Sequence, residues 1–146
     1  MQARLNYFQA GSAGPKAMIA FNTAMEGLGI DKALLHLIKL RASQINGCAF
    51  CIAMHTKEAR ADGEDQRRLD LLQSWHETTL FTEAEEAALA WTEALTRLAD
   101  THAPDDVYAR LAAAFSEKEC VDITTAIVAI NGWNRFAVGF RAVPQA

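Results

Sequence analysis

Apolar residues along this chain recur mostly at three- and four-residue intervals, the period that lines one side of an α-helix. They almost never alternate as a half-buried strand would. The pattern predicts an all-α protein. A first helix is expected to open at Pro15, suited to a first turn because its missing N–H would be unpaired there, and to fade at Gly27-Leu28-Gly29. Asp31 caps a second helix whose Leu34, Leu35, Leu37, Ile38, Leu40 and Ile45 are too many for a narrow stripe; Asn46-Gly47 ends it. A third runs from about Cys48 to Ala61, where Asp62-Gly63 stops it, and a shorter charged helix follows from Glu64 to about Ser74. Thr82-Glu83-Ala84-Glu85 forms a capping box for a helix lasting to about Ala99, and Pro104 starts another that reaches Phe115. Ser116-Glu117-Lys118-Glu119 is a second capping box, opening a long apolar helix to Gly139. The expectation is a compact bundle of about six to seven helices.

No internal repeat, low-complexity tract or dividing linker interrupts the chain, and its 146 residues suit one domain, 1–146. The stretch from Val121 to Phe140 approaches the length of a membrane span, but Asp122, Asn131, Asn134 and Arg135 interrupt it. It reads as a buried core helix. Apolar residues make up 51% and charged residues 22%, a globular balance. With a net charge of −4 and no basic cluster beyond Arg67-Arg68, neither nucleic acid nor a membrane is an expected partner; small molecules or proteins are. The opening MQARLNYFQAGSAGPK lacks the pattern of a secretory signal, so a cytoplasmic location is expected.

Chemistry concentrates in QINGCAFCIAMH, residues 44–55. Cys48 and Cys51 sit where a helix starts, and unpaired N–H groups there favour thiolate over thiol, below the ordinary cysteine pKa of about 8.5. Their spacing lets a disulfide form and break. His55 falls on the same helix side as both, placed to accept a thiol proton or return one to a departing oxygen. A redox dithiol, a metal site and part of a buried helix all remain open on these residues alone. Cys48, Cys51, His55 and His36 would make an acceptable tetrahedral zinc set.

The run LIKLRASQINGCAFCIAMHTKEAR, residues 37–60, resembles the core signature of the alkylhydroperoxidase AhpD-like proteins, which share a fold with carboxymuconolactone decarboxylases. FTEAEEAALAWTEALT from Phe81 and INGWNRFAV from Ile130 resemble later segments, so the likeness covers most of residues 30–140. The resemblance implies a helical enzyme that reduces organic hydroperoxides through the CxxC pair and carries no cofactor beyond a redox-active Cys48–Cys51 disulfide. A dithiol donor protein, lipoyl or thioredoxin-like, would re-reduce it, and the chains would form trimers or hexamers. Carried over, Cys51 is the cysteine attacked by peroxide, Cys48 resolves the product and His55 relays protons.

This chain departs from the pattern at two places. His36 stands where the family has a glutamate twelve residues before the first cysteine, so His36 itself, or an acid such as Glu26 or Glu58, would complete the relay. Phe50 stands where AhpD has a histidine. A weak peroxidase, or one directed at another substrate, is the expectation. A decarboxylase of the same superfamily, which has no evident need of a dithiol, and a non-catalytic redox sensor or zinc module are the alternatives.

The remaining candidates have structural readings. Cys120 reads as a small buried hydrophobe, and His76 and His102 as solvated loop residues. Arg41, Ser43 and Gln44 are expected to bond the end of the second helix or a neighbouring subunit, and Asn131, Trp133, Asn134 and Arg135 to form a buried network or an interface. Phe50, Ile52 and Met54 read as core more than pocket.

Overall fold

A computed structural model describes residues 1–144. It holds eight α-helices and one 3₁₀ segment in the order α1 (Ala13–Met25), α2 (Lys32–Ile45), α3 (Ala49–Ala61), α4 (Gln66–Leu71), the 3₁₀ turn Leu72–Glu77, α5 (Glu83–Thr96), α6 (Leu98–Thr101), α7 (Asp105–Ala114) and α8 (Glu117–Gly139). No strand occurs among the described residues, so the all-α expectation holds. No helix among them is long and apolar enough to cross a membrane.

Local chemistry sets most helix starts. Thr82 and Glu85 satisfy each other's backbone N–H in a capping box, as do Ser116 and Glu119, and Asp31 accepts from the N–H of Leu34. α1 opens slightly before Pro15, because the Ser12 hydroxyl caps it. Two predicted helices are divided. The expected Glu64–Ser74 helix starts only after Asp65, which caps Arg67, and passes into the 3₁₀ turn, with Ser74 leaving helical geometry. The helix expected to reach Ala99 breaks at Arg97, and the Thr101 hydroxyl donates to the carbonyl of Ala94 near the end of α5.

α2 is buried on most sides, which explains its excess of apolar positions: it touches α3, α5, α8 and the 3₁₀ turn. On one side Leu34 and Ile38 meet Trp91 of α5, Leu111 of α7 and Ile123 and Ile127 of α8. On another, Leu37 and Leu40 meet Ala59, Leu72, Trp75 and Leu89. Arg41, a buried cation of α2, is bonded in place. Arg41 Nε donates to Glu93 at 2.7 Å, which also accepts from the indole of Trp75, and Arg41 reaches Gln44.

The C-terminal end of α2 is fixed to α8 by amides. Asn46 Nδ2 donates to Asn134 Oδ1 at 2.8 Å and Asn131 Oδ1 at 3.0 Å, while Asn134 Nδ2 donates to the Ser43 hydroxyl at 3.1 Å. Asn131 extends the network to Thr96 of α5, and Arg135 donates to Asn131. The polar interruption of the long apolar helix is thus a satisfied buried network. Truncating Asn134, which is 1% exposed, leaves the amide of Asn46 short of an acceptor. Asn134→Ala is expected to cost about 2 kcal/mol of stability, read as a lower urea midpoint with an unchanged denaturant slope.

Candidate active site

The site begins at the turn between α2 and α3. Gly47 has φ +63°, a left-handed conformation that side chains disfavour, and it lets the chain reverse so that Cys48 becomes the N-cap of α3. The Cys48 sulfur accepts from the N–H of Cys51 at 3.3 Å, and the two cysteines form a disulfide across a Cα–Cα distance of 5.3 Å. Both are only 2% exposed and pack with Ala137 of α8.

Cys51, and not Cys48, lines a cavity of about 330 Å³. Its walls are largely apolar: Ile19 of α1, Phe50 and Met54 of α3, and Ile130 and Trp133 of α8. Ile52, by contrast, turns away toward the Leu37 and Leu72 core. Tyr7 and Phe8 close one side from a turn in the N-terminal arm, which Arg4 holds to the end of α8 through bonds to the carbonyls of Phe140 and Gly139. The Tyr7 ring lies 5.4 Å from Phe136, and that of Phe8 lies 6.1 Å from Trp133.

His55, buried one turn after Cys51, shares the cavity. Its Nδ1 lies 2.9 Å from Glu58 Oε2. A carboxylate only accepts, so the hydrogen sits on Nδ1 and a neutral ring keeps its lone pair on Nε2. The hydrogen bond from His55 holds the Glu58 carboxyl below the usual carboxylate range. Partial burial opposes that shift, and the charges of His55, Lys39 and His36 add to it.

His36 does not join these residues. Its Nε2 lies 2.7 Å from Asp62 Oδ2 at the far end of α3, where Lys32 also pairs with Asp62, and it does not line the cavity. The Lys32 and His36 contacts hold Asp62 below its ordinary value. The four-ligand zinc set therefore does not converge, and among the described residues no group of three or more His, Cys, Asp or Glu side chains is arranged to hold a metal ion.

Comparison with known proteins now places the chain. Residues 14–94 match the model of the carboxymuconolactone decarboxylase family. The chain belongs to that family. It is 37% identical over 147 residues to the uncharacterised protein YdfG of Bacillus subtilis (strain 168), covering 99% of this chain and all of that one. It superposes with a TM-score of 0.97, at 47% identity and 99% coverage of both chains, on the crystal structure of a protein of unknown function from Agrobacterium tumefaciens, for which an antioxidant defence role as an AhpD has been suggested. The debrominase Bmp8 shares the fold, with a TM-score of 0.82 at 20% identity over 91% of this chain and 73% of that one.

Glu58 places a carboxylate beside His55, and its offset of three residues from that histidine was readable in the sequence. Lys39, Tyr7 and Phe8 were not anticipated. Nothing in the sequence sets Lys39 apart from the other polar residues of α2. Burial lowers the Lys39 amine below the usual lysine range, against the charges of Glu58 and Glu26. Cys120 is buried in the core, its thiol pushed up by burial and by Glu119, and His76 and His102 are exposed.

Because the folded pKa of Glu58 is depressed, the His55–Glu58 pair stabilises the fold above the ordinary carboxylate range, and that contribution is lost as pH falls through the lowered value. The Glu58 side chain is 47% exposed, so solvent screening keeps the term small. Glu58→Gln should be less stable than wild type by under about 1 kcal/mol at neutral pH. The gap should close in acid, as read by urea denaturation across a pH series.

Proposed function

We propose that this protein is a thiol peroxidase that reduces organic hydroperoxides through Cys51 and Cys48 and is turned over by a dithiol donor protein, lipoyl or thioredoxin-like. The observation that carries the proposal is a disulfide-forming pair with one member facing an apolar cavity, beside a histidine already oriented by a carboxylate.

In the reduced protein, His55 Nε2 takes the proton of the Cys51 thiol. The thiolate attacks the terminal peroxide oxygen; an S–O bond forms, the O–O bond breaks, and the leaving alkoxide takes the proton from His55 as an alcohol. Cys51 is then a sulfenic acid. Cys48 is suited to resolve it, because its sulfur accepts the N–H of Cys51 at the positive end of α3, an interaction that favours a thiolate. Attack by Cys48 forms the S–S bond and expels the Cys51 hydroxyl, which leaves as water after protonation. Two electrons from the donor dithiol restore the pair by thiol–disulfide exchange. Glu58 keeps His55 in the required tautomer, and no step uses His36.

Intact mass of the reduced protein after one equivalent of cumene hydroperoxide tests the scheme. Wild type should lose two hydrogens, Cys48→Ser should gain one oxygen on Cys51, and Cys51→Ser should be inert. His55→Gln should slow the oxidation by about 10²-fold or more. Lactone decarboxylation that survives loss of both cysteines would point to the other chemistry of the superfamily.

We also propose a homo-oligomer, a trimer or hexamer, because α8 leaves Val121 and Val128 more than half exposed. A monomer by light scattering would count against it.

A further inference from the structure

The cavity beside Cys51 contains one feature that peroxide reduction does not use. Its titratable lining groups are Tyr7, Lys39, Cys51, His55 and Glu58. Cys51 is joined to Cys48, and Glu58 is paired with His55. Lys39 is the cation left over. Half-buried on α2, its ammonium makes no hydrogen bond and no ion pair within 4.0 Å among the described residues. Glu58 and Glu26 are near enough to influence it, but neither is in contact with it. A partly desolvated ammonium without a counter-ion is costly, and an anion that reaches it from the cavity removes that cost.

We propose that Lys39 is the anion-recognition residue of this cavity, which binds apolar molecules ending in a carboxylate. Carboxylate-bearing organic hydroperoxides are then its preferred substrates. The walls fix the apolar part of the ligand: Ile19, Phe50, Met54, Ile130 and the face of Trp133 offer an aliphatic or aromatic body mostly apolar contact, and Asn22 and Thr23, which also line the cavity, are neutral. The head group follows from the charge available. A single ammonium, with the Glu58 carboxylate on the same cavity, suits one monoanion, whereas a phosphate dianion calls for several donors or an arginine fork. The N–H of Cys51 at the start of α3 is already taken by the Cys48 sulfur and adds no second anion site.

Only the hydroperoxide part of this inference rests on the proposed peroxidase activity; carboxylate recognition rests on the cavity. The test separates the two. Binding of octanoate and of 1-octanol to the oxidised protein is measured by titration calorimetry for wild type, Lys39→Met and Lys39→Arg. In parallel, kcat/KM is measured for a fatty-acid hydroperoxide and for its methyl ester. Wild type should prefer octanoate at least tenfold, Lys39→Met should lose the preference and Lys39→Arg should keep most of it. The acid-to-ester ratio of kcat/KM should follow the same order. Equal binding of octanoate and octanol by wild type, or a preference that survives in Lys39→Met, would overturn the proposal even if peroxides are reduced. Lysine-dependent octanoate binding without peroxide reduction would uphold carboxylate recognition and refute the peroxidase reading instead.

Discussion

The carboxamide of Asn46 joins the reactive turn to the rest of the molecule. Gly47 provides the reversal that starts α3, but a turn alone does not fix where Cys48 stands against α8. Asn46 does, by donating to both Asn131 and Asn134, while Asn134 reaches back to Ser43 on the preceding turn of α2. Buried amides are costly when unpaired, so this network has few acceptable arrangements and holds α2 and α8 in one register. Ala137, the next turn of α8, then packs on the two cysteines. The geometry of the sulfur pair is a consequence of an amide network one turn away.

α3 carries the site along its length, and α2 holds it at both ends. At the N-terminus are the sulfurs, tied through the Asn46 turn. In the middle are His55 and Glu58, and at the C-terminus Asp62 meets His36 and Lys32 of α2. A carboxylate three residues from its histidine on the same helix needs no tertiary contact to find it. The histidine at position 36 thus has a different partner, and the orientation of His55 depends on α3 alone. This makes the His55–Glu58 pair tolerant of small shifts between α2 and α3 that would disturb one built across them.

What the sequence disclosed follows the range of each interaction. Both capping boxes, the Asp31 cap, the Asn46-Gly47 stop and the placement of Cys51 and His55 on one side of α3 are local and are found where the spacing puts them, whereas Cys48 caps that helix and lies off the cavity. The break at Arg97 and the 3₁₀ turn through Ser74 carry no strong local signal, since neither is marked by glycine or proline; here tertiary packing overrides propensity. The His36–Asp62 contact spans 26 residues, and the approach of Tyr7 and Phe8 to α8 spans most of the chain. Neither can be read from a window of sequence. Lys39 is one of several polar residues on α2, and only the fold says that it lines a cavity.

The family match ends at residue 94, and this limits what membership decides. The sulfurs, His55, Glu58 and Lys39 lie within it; Ile130, Trp133 and Ala137 of α8 and the aromatic arm lie outside it. The matched segment therefore carries the sulfurs and the His55–Glu58 pair, while part of the cavity wall comes from the rest of the chain. Access obeys the same division. Both cysteines are 2% exposed, so a protein donor cannot reach the disulfide without some displacement of its cover. Tyr7 and Phe8 alone among the lining residues lie outside a helix, held by aromatic contacts and by Arg4 at the last turn of α8. Moving them breaks no helical hydrogen bond, which makes the arm the least costly part of the wall to open.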